Sequence, residues 1–149
     1  MFSKILAAVD GSDHSVRAVE LSADLAEKYG AELVLLAVFK PTRVPESTHS
    51  LVRTNRTLEP QHTDDELQKI AEEVLADAEQ HARKHNIPKI DARVKRGQPS
   101  RTIVSTAEEV DADVIVLGSR GLGDVSGLLL GSVSHKVASL AKCNVITVK

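Results

Sequence analysis

Gly118 to Ser132 reads GSRGLGDVSGLLLGS and holds five of the chain's eight glycines. Where no Cβ shields the main chain, backbone N–H groups can approach an anion closely, and successive ones form a concave donor surface. Gly131 and Ser132 fall where a helix is expected to begin, so unpaired amides and the positive end of the helix dipole face outward there. The hydroxyls of Ser132 and Ser134 would add donors. These are features that suit a di- or triphosphate. Arg120, inside the same loop, could reach a phosphate or stand as a solvated surface cation. General phosphate motifs do not describe the stretch. A Walker A loop needs Lys-Ser/Thr after a glycine, and none follows here. Gly118, Gly121 and Gly123 give G-x-x-G-x-G, the reverse of the dinucleotide fingerprint. What stands is G-x2-G-x9-G-S, at Gly118, Gly121, Gly131 and Ser132.

The other chemistry-bearing residues are sparser. Asp10 ends an apolar run in VDGS, where a carboxylate either serves a ligand or opens a turn and caps a helix. His81 and His85 are four apart, a metal-like spacing, but no third ligand stands nearby in the pattern and a solvated helix face is the simpler expectation. His14, His49, His62 and His135 form no constellation. Cys143, the one cysteine, allows no intrachain disulfide and reads as a small apolar side chain. No activated nucleophile and no acid–base pair emerges. Leu128, Leu129 and Leu130 suggest packing or an interface, and Arg43, Arg53 and Arg56 make a long polar stretch basic.

The elements that must position these residues are legible from hydrophobic period. KILAAV (Lys4 to Val9), ELVLLAVF (Glu32 to Phe39) and DVIVLG (Asp113 to Gly118) read as buried strands. KIDARVKRG (Lys89 to Gly97) alternates, with Ile90, Ala92 and Val94 on one face, as an edge strand does. NVITVK (Asn144 to Lys149) reads as a last strand. Helices are predicted from Ser12 to Tyr29, capped by Ser12 or Asp13 and ended at Gly30; from Thr63, with Glu66 completing a capping box; from Pro99 to Val110; and from Ser132 to Ala141. The second helix should bury Leu67, Ile70, Ala71, Val74, Leu75, Ala78 and Ala82. Lys40 to Thr63, with Pro41, Pro45 and Pro60, has no period and is expected to be a long loop. Strict strand–helix alternation with continuous apolar strands predicts a parallel α/β sheet with helices on both faces.

A chain of 149 residues suits one domain spanning 1–149. A net charge of −2 gives no electrostatic case for nucleic acid or an anionic membrane, and three aromatics (Phe2, Tyr29, Phe39) offer no stacking platform. The apolar run Ile5 to Val9 is too short for a signal peptide, and no stretch is long enough to span a bilayer. A soluble cytoplasmic protein is expected.

ILAAVDGSDHSVRAVELSADLA, then ADVIVLGSRGLG followed by GSVSHKVA, then CNVITVK, together resemble the ATP-binding branch of the universal stress protein family across the whole chain. Asn144 stands where a proline is common in that family. The resemblance implies an open five-stranded sheet of order 3-2-1-4-5, of the adenine-nucleotide alpha-hydrolase-like kind. Strand order then reverses between the first and fourth strands, which is where such sheets bind ligands. It implies that Ala8, Val9 and Asp10 would meet ribose and adenine, that Val38 would line the adenine pocket, and that Leu117 and Gly118 would lie against adenosine. Gly121, Gly131, Ser132, Val133 and Ser134 would hold phosphates, with Mg²⁺ or Mn²⁺ bridging phosphate oxygens. It also implies a homodimer joined along the last strand, Val145 to Val148. The function so implied is an ATP-binding stress or signalling switch, at most a slow ATPase, with an unidentified downstream partner. The alternatives are an adenylating or phosphotransfer enzyme, which usually shows more glycine after the first strand than VDGSDHS does, and a nucleotide-free dimeric chaperone-like module.

Overall fold

Side chains alternate across a strand, so each inner strand of a doubly covered sheet must be apolar on both faces. The computed structural model, which describes residues 1–41, 62–121 and 131–149, shows this directly. Its order is β1 (Lys4–Val9), α1 (Asp13–Tyr29), β2 (Glu32–Phe39), α2 (Asp64–Ala82), β3 (Ile90–Arg96), α3 (Pro99–Glu109), β4 (Val114–Gly118), α4 (Ser132–Leu140) and β5 (Asn144–Val148). All pairings are parallel and the strand order is β3-β2-β1-β4-β5. The arginines Arg43, Arg53 and Arg56, the leucines Leu128 to Leu130, and Gly123 lie outside the described residues.

Ile5, Ala7, Val9, Leu33, Leu35, Ala37, Val114 and Val116 face α1 and α2, while Leu6, Ala8, Val34, Leu36, Ile115 and Leu117 face α3 and α4. The edge reading of β3 holds. Its Ile90, Ala92 and Val94 pack toward α1 and α2. Its other face carries Asp91, Arg93 and Lys95, which pair with one another and with Glu109 of α3.

Local chemistry places the helix ends. Ser12 Oγ accepts from Ser15 N–H at the start of α1, and Gly30 closes it in the left-handed conformation at φ 63°. Thr63 and Glu66 form the expected capping box of α2. In α2, Ala71, Leu75, Ala78 and Ala82 are buried, but Ile70 is 45% exposed, against expectation. It sits one helical step of about 100° from Ala71, on the rim of the stripe rather than within it.

The chain runs outward from β1 through β2 to β3, then returns to lay β4 on the other side of β1. Asp113 fixes that return: its Oδ2 accepts from Ser3 N–H at 2.7 Å and Lys4 N–H at 2.8 Å. The reversal therefore lies between β1 and β4, with the carboxyl ends of both strands side by side.

Candidate functional site

The carboxyl ends of β1, β2 and β4 and the starts of α3 and α4 line a cleft of about 250 Å³, just below the usual range of small-molecule sites (about 300–1,000 Å³). Its floor is apolar: Ala8, Leu36, Val38, Ile103 and Leu117. Its rim carries Asp10, Arg120, Gly121, Ser132, Val133 and Ser134. Val9 and Gly118 also line it, so the residues assigned to a nucleotide site from the sequence all line the cleft except Gly131.

The start of α4 is built differently from the other helix starts. Gly131 is its N-cap and makes no side-chain cap bond, and no acidic residue stands in its first turn. The first helical bond is given by His135 N–H to the Gly131 carbonyl at 2.9 Å. The amides of Ser132, Val133 and Ser134 precede that bond and have no place in the helical ladder. They sit on the rim of the cleft, at the positive end of the helix.

The details at the start of α4 refine these expectations. Ser132 is exposed, at the first helical position. Ser134 does not offer its hydroxyl to a ligand: the side chain is buried, and Oγ–H lies 2.9 Å from the Ser119 carbonyl and 3.0 Å from the Gly131 carbonyl. Its amide is what remains for an anion. The Gly131 N–H is likewise engaged, by the Ser119 carbonyl. Gly131 has φ −69° and ψ 164°, extended values that any residue adopts, so its backbone angles do not require glycine.

At the end of β1, both readings of Asp10 meet in one residue. Its Oδ1 accepts from Ser12 N–H at 2.9 Å and Ser12 Oγ–H at 2.6 Å, so it does hold the turn into α1. It is also exposed on the cleft. Gly11 takes φ +85° between them, which favours glycine. Gly118 answers to packing: a Cβ there would lie 2.7 Å from His14 Cβ and 2.9 Å from the His14 carbonyl carbon. Glycine lets β4 end against the first turn of α1, as well as opening onto the cleft.

Sequence reasoning missed Ser15, Leu36, Pro99 and Ile103, which also line the cleft. The rule that ligands sit beyond the carboxyl ends of strands applies to β3 as well, and it points to the start of α3. It also missed Ser119 and His14, whose Oγ and Nδ1 are 3.0 Å apart.

The remaining candidates find local partners. His85 Nδ1 is 3.0 Å from Glu27, and His81 is 3.8 Å from Asp77. The Asn86 amide, and then His85, hold the Glu27 carboxyl below the usual carboxylate range. No group of three metal-ligating side chains occurs among the described residues. Cys143 is half-buried and desolvation pushes its thiol up, away from a reactive thiolate.

The family model described as "Universal stress protein family" matches residues 1–149. The universal stress protein YxiE of Bacillus subtilis is 35% identical over all of both chains. A universal stress protein of Thermus aquaticus is 36% identical, also over all of both chains. A solved universal stress protein in complex with cAMP superposes with a TM-score of 0.74 at 27% identity, over 99% of this chain and 97% of its own.

Proposed function

Because the chain belongs to the universal stress protein family, we propose that it binds an adenine nucleotide, ATP, in the cleft between β1 and β4 and acts as a nucleotide-dependent stress or signalling switch. The carrying observation is the uncapped start of α4 standing over an apolar slot. The base lies on Leu36, Val38, Ile103 and Leu117, where removal from water drives binding. The ribose meets Asp10 at the end of β1. The phosphates run toward Gly121 and the amides of Ser132, Val133 and Ser134, with Arg120 as a cation beside them and Gly131 setting the turn. Mg²⁺ or Mn²⁺ neutralises the phosphates through their own oxygens, a mode that needs few protein ligands. The relative solved with cAMP supports an adenine nucleotide here.

Hydrolysis is slow in this reading. Asp10 is the carboxylate among the described lining residues, and one of its oxygens already holds Ser12. The switch works in the cytoplasm as a homodimer through β5. That strand is one edge of the sheet, and Val145 to Val148 carries no charge to repel a second copy, whereas the other edge, β3, is guarded by Asp91, Arg93 and Lys95. No described helix is long and apolar enough to cross a membrane.

The test is to denature freshly purified protein, identify any released nucleotide by chromatography, and titrate the emptied protein with ATP, cAMP and GTP by calorimetry. ATP should bind and GTP should not. Absence of both released nucleotide and binding heat would leave the dimeric nucleotide-free module. Rapid ATP turnover would instead establish the phosphotransfer or adenylating enzyme.

A further inference from the structure

We infer that Ser134, acting through Ser119, is the positioning residue of the phosphate cradle: its hydroxyl pins the first turn of α4 to the end of β4 and so aims the three rim amides. The inference rests on the nucleotide reading above.

Ser119 is the junction. It is 2% exposed and follows β4 directly. Its N–H donates to Val148 of β5 at 2.7 Å, and its Oγ is 3.0 Å from His14 of α1. Its carbonyl accepts from Gly131 N–H and from Ser134 Oγ–H, the latter across fifteen residues of sequence. One buried residue thus ties the start of α4 to three other elements.

Ser134 is also 2% exposed, and its hydroxyl has one proton for two carbonyls. Neither carbonyl depends on it. The Ser119 carbonyl keeps the Gly131 amide, and the Gly131 carbonyl keeps the His135 amide at 2.9 Å. Removing the hydroxyl therefore strands no buried acceptor, and the cost in folding is small. What is lost is a second point of attachment. With Gly131 alone held, the turn can rock about one bond. With Ser134 held as well, the amides of residues 132 to 134 have one orientation. The apolar floor, supplied by β1, β2, β4 and α3, does not depend on this bond.

The consequence is a selective one. In Ser134→Ala, ATP affinity measured by calorimetry should fall about tenfold, the equivalent of one buried hydrogen bond, while adenosine affinity stays within about twofold. Ser134→Thr, which keeps a hydroxyl, should restore ATP binding, and both variants should melt cooperatively near wild type. Equal losses for ATP and adenosine, an unchanged ATP affinity, or a Thr variant as weak as the Ala variant would each overturn the assignment and leave Ser134 with packing alone. Wild-type protein that binds neither ligand would remove the nucleotide reading itself, and this inference with it.

Discussion

At the start of α2, Thr63 Oγ1 accepts from Glu66 N–H at 3.3 Å while the Glu66 carboxylate accepts from Thr63 N–H at 2.8 Å, and Asp64, Asp65 and Glu66 put three acids in the first turn. At the start of α4, Gly131 brings no side chain and the first turn has no acid. The same unpaired amides exist at both ends. One is closed by the protein, and the other opens on a cleft. Ser12 and Gln98 side chains cap α1 and α3, so α4 is the exception among the described helices. The start of α2 completes its own donors, whereas the start of α4 leaves its first amides at the rim of the cleft, the arrangement that the proposed phosphate site needs.

The sharpest way to break the contrast is to make α4 resemble α2. Ser132→Asp places a carboxylate at the first helical position. It should stabilise the fold by about 0.3–1 kcal/mol through the helix dipole, yet weaken ATP on the order of 100-fold by repelling phosphate. Thermal melting and calorimetry on the same sample would show the two effects with opposite signs, and a variant that gains stability with ATP affinity intact would end the proposal that phosphate sits there. Gly118→Ala tests whether glycine after β4 serves packing. The methyl must displace His14, and a loss of about 1–3 kcal/mol is expected in urea titration. A neutral result would return that glycine to the ligand alone.

Thr63→Ala is the control from the closed end. It should cost about 1 kcal/mol of stability and leave ATP affinity at the wild-type value. The smallest effect is on pH. The Thr63 amide holds the Glu66 carboxyl below its usual range, and the side chain of Lys95 does the same to Glu109. As pH falls, the unfolded chain takes up protons before the folded one does. The stability these groups contribute is therefore present above the ordinary carboxylate range and is lost as pH drops through their lowered values. Urea midpoints should decline modestly on acidification, and less so in Glu66→Gln, which removes the titrating carboxyl. An equal decline in both proteins would detach the cap from the effect.

Much of this architecture is visible without coordinates, for identifiable reasons. Strand runs such as ELVLLAVF and caps at Ser12 and Thr63 are local signals, and each local signal survived. The strand order is not local, and residue spacing alone did not yield it; it followed from the likeness of whole segments to a known family. The glutamine cap of α3 escaped because Gln98 is an unusual cap residue whose side chain happens to reach Arg101 N–H. Ser119 escaped for a deeper reason. Its partners are His14, Gly131, Ser134 and Val148, and no period or motif connects those positions. Gly118 was read toward the cleft because nothing in the sequence places His14 beside it.

The pairing of Ile5 with Val114, locked by Asp113 on Ser3 and Lys4, has a kinetic meaning. The centre of the sheet joins segments more than a hundred residues apart, so its closure waits on a long-range chain encounter. On the ribosome, β1 and β2 emerge with no neighbour yet available on one side, and the gap is filled only when β4 appears. The pocket for a ligand cannot exist before that moment. Any molecule captured there reports that β1 and β4 have met.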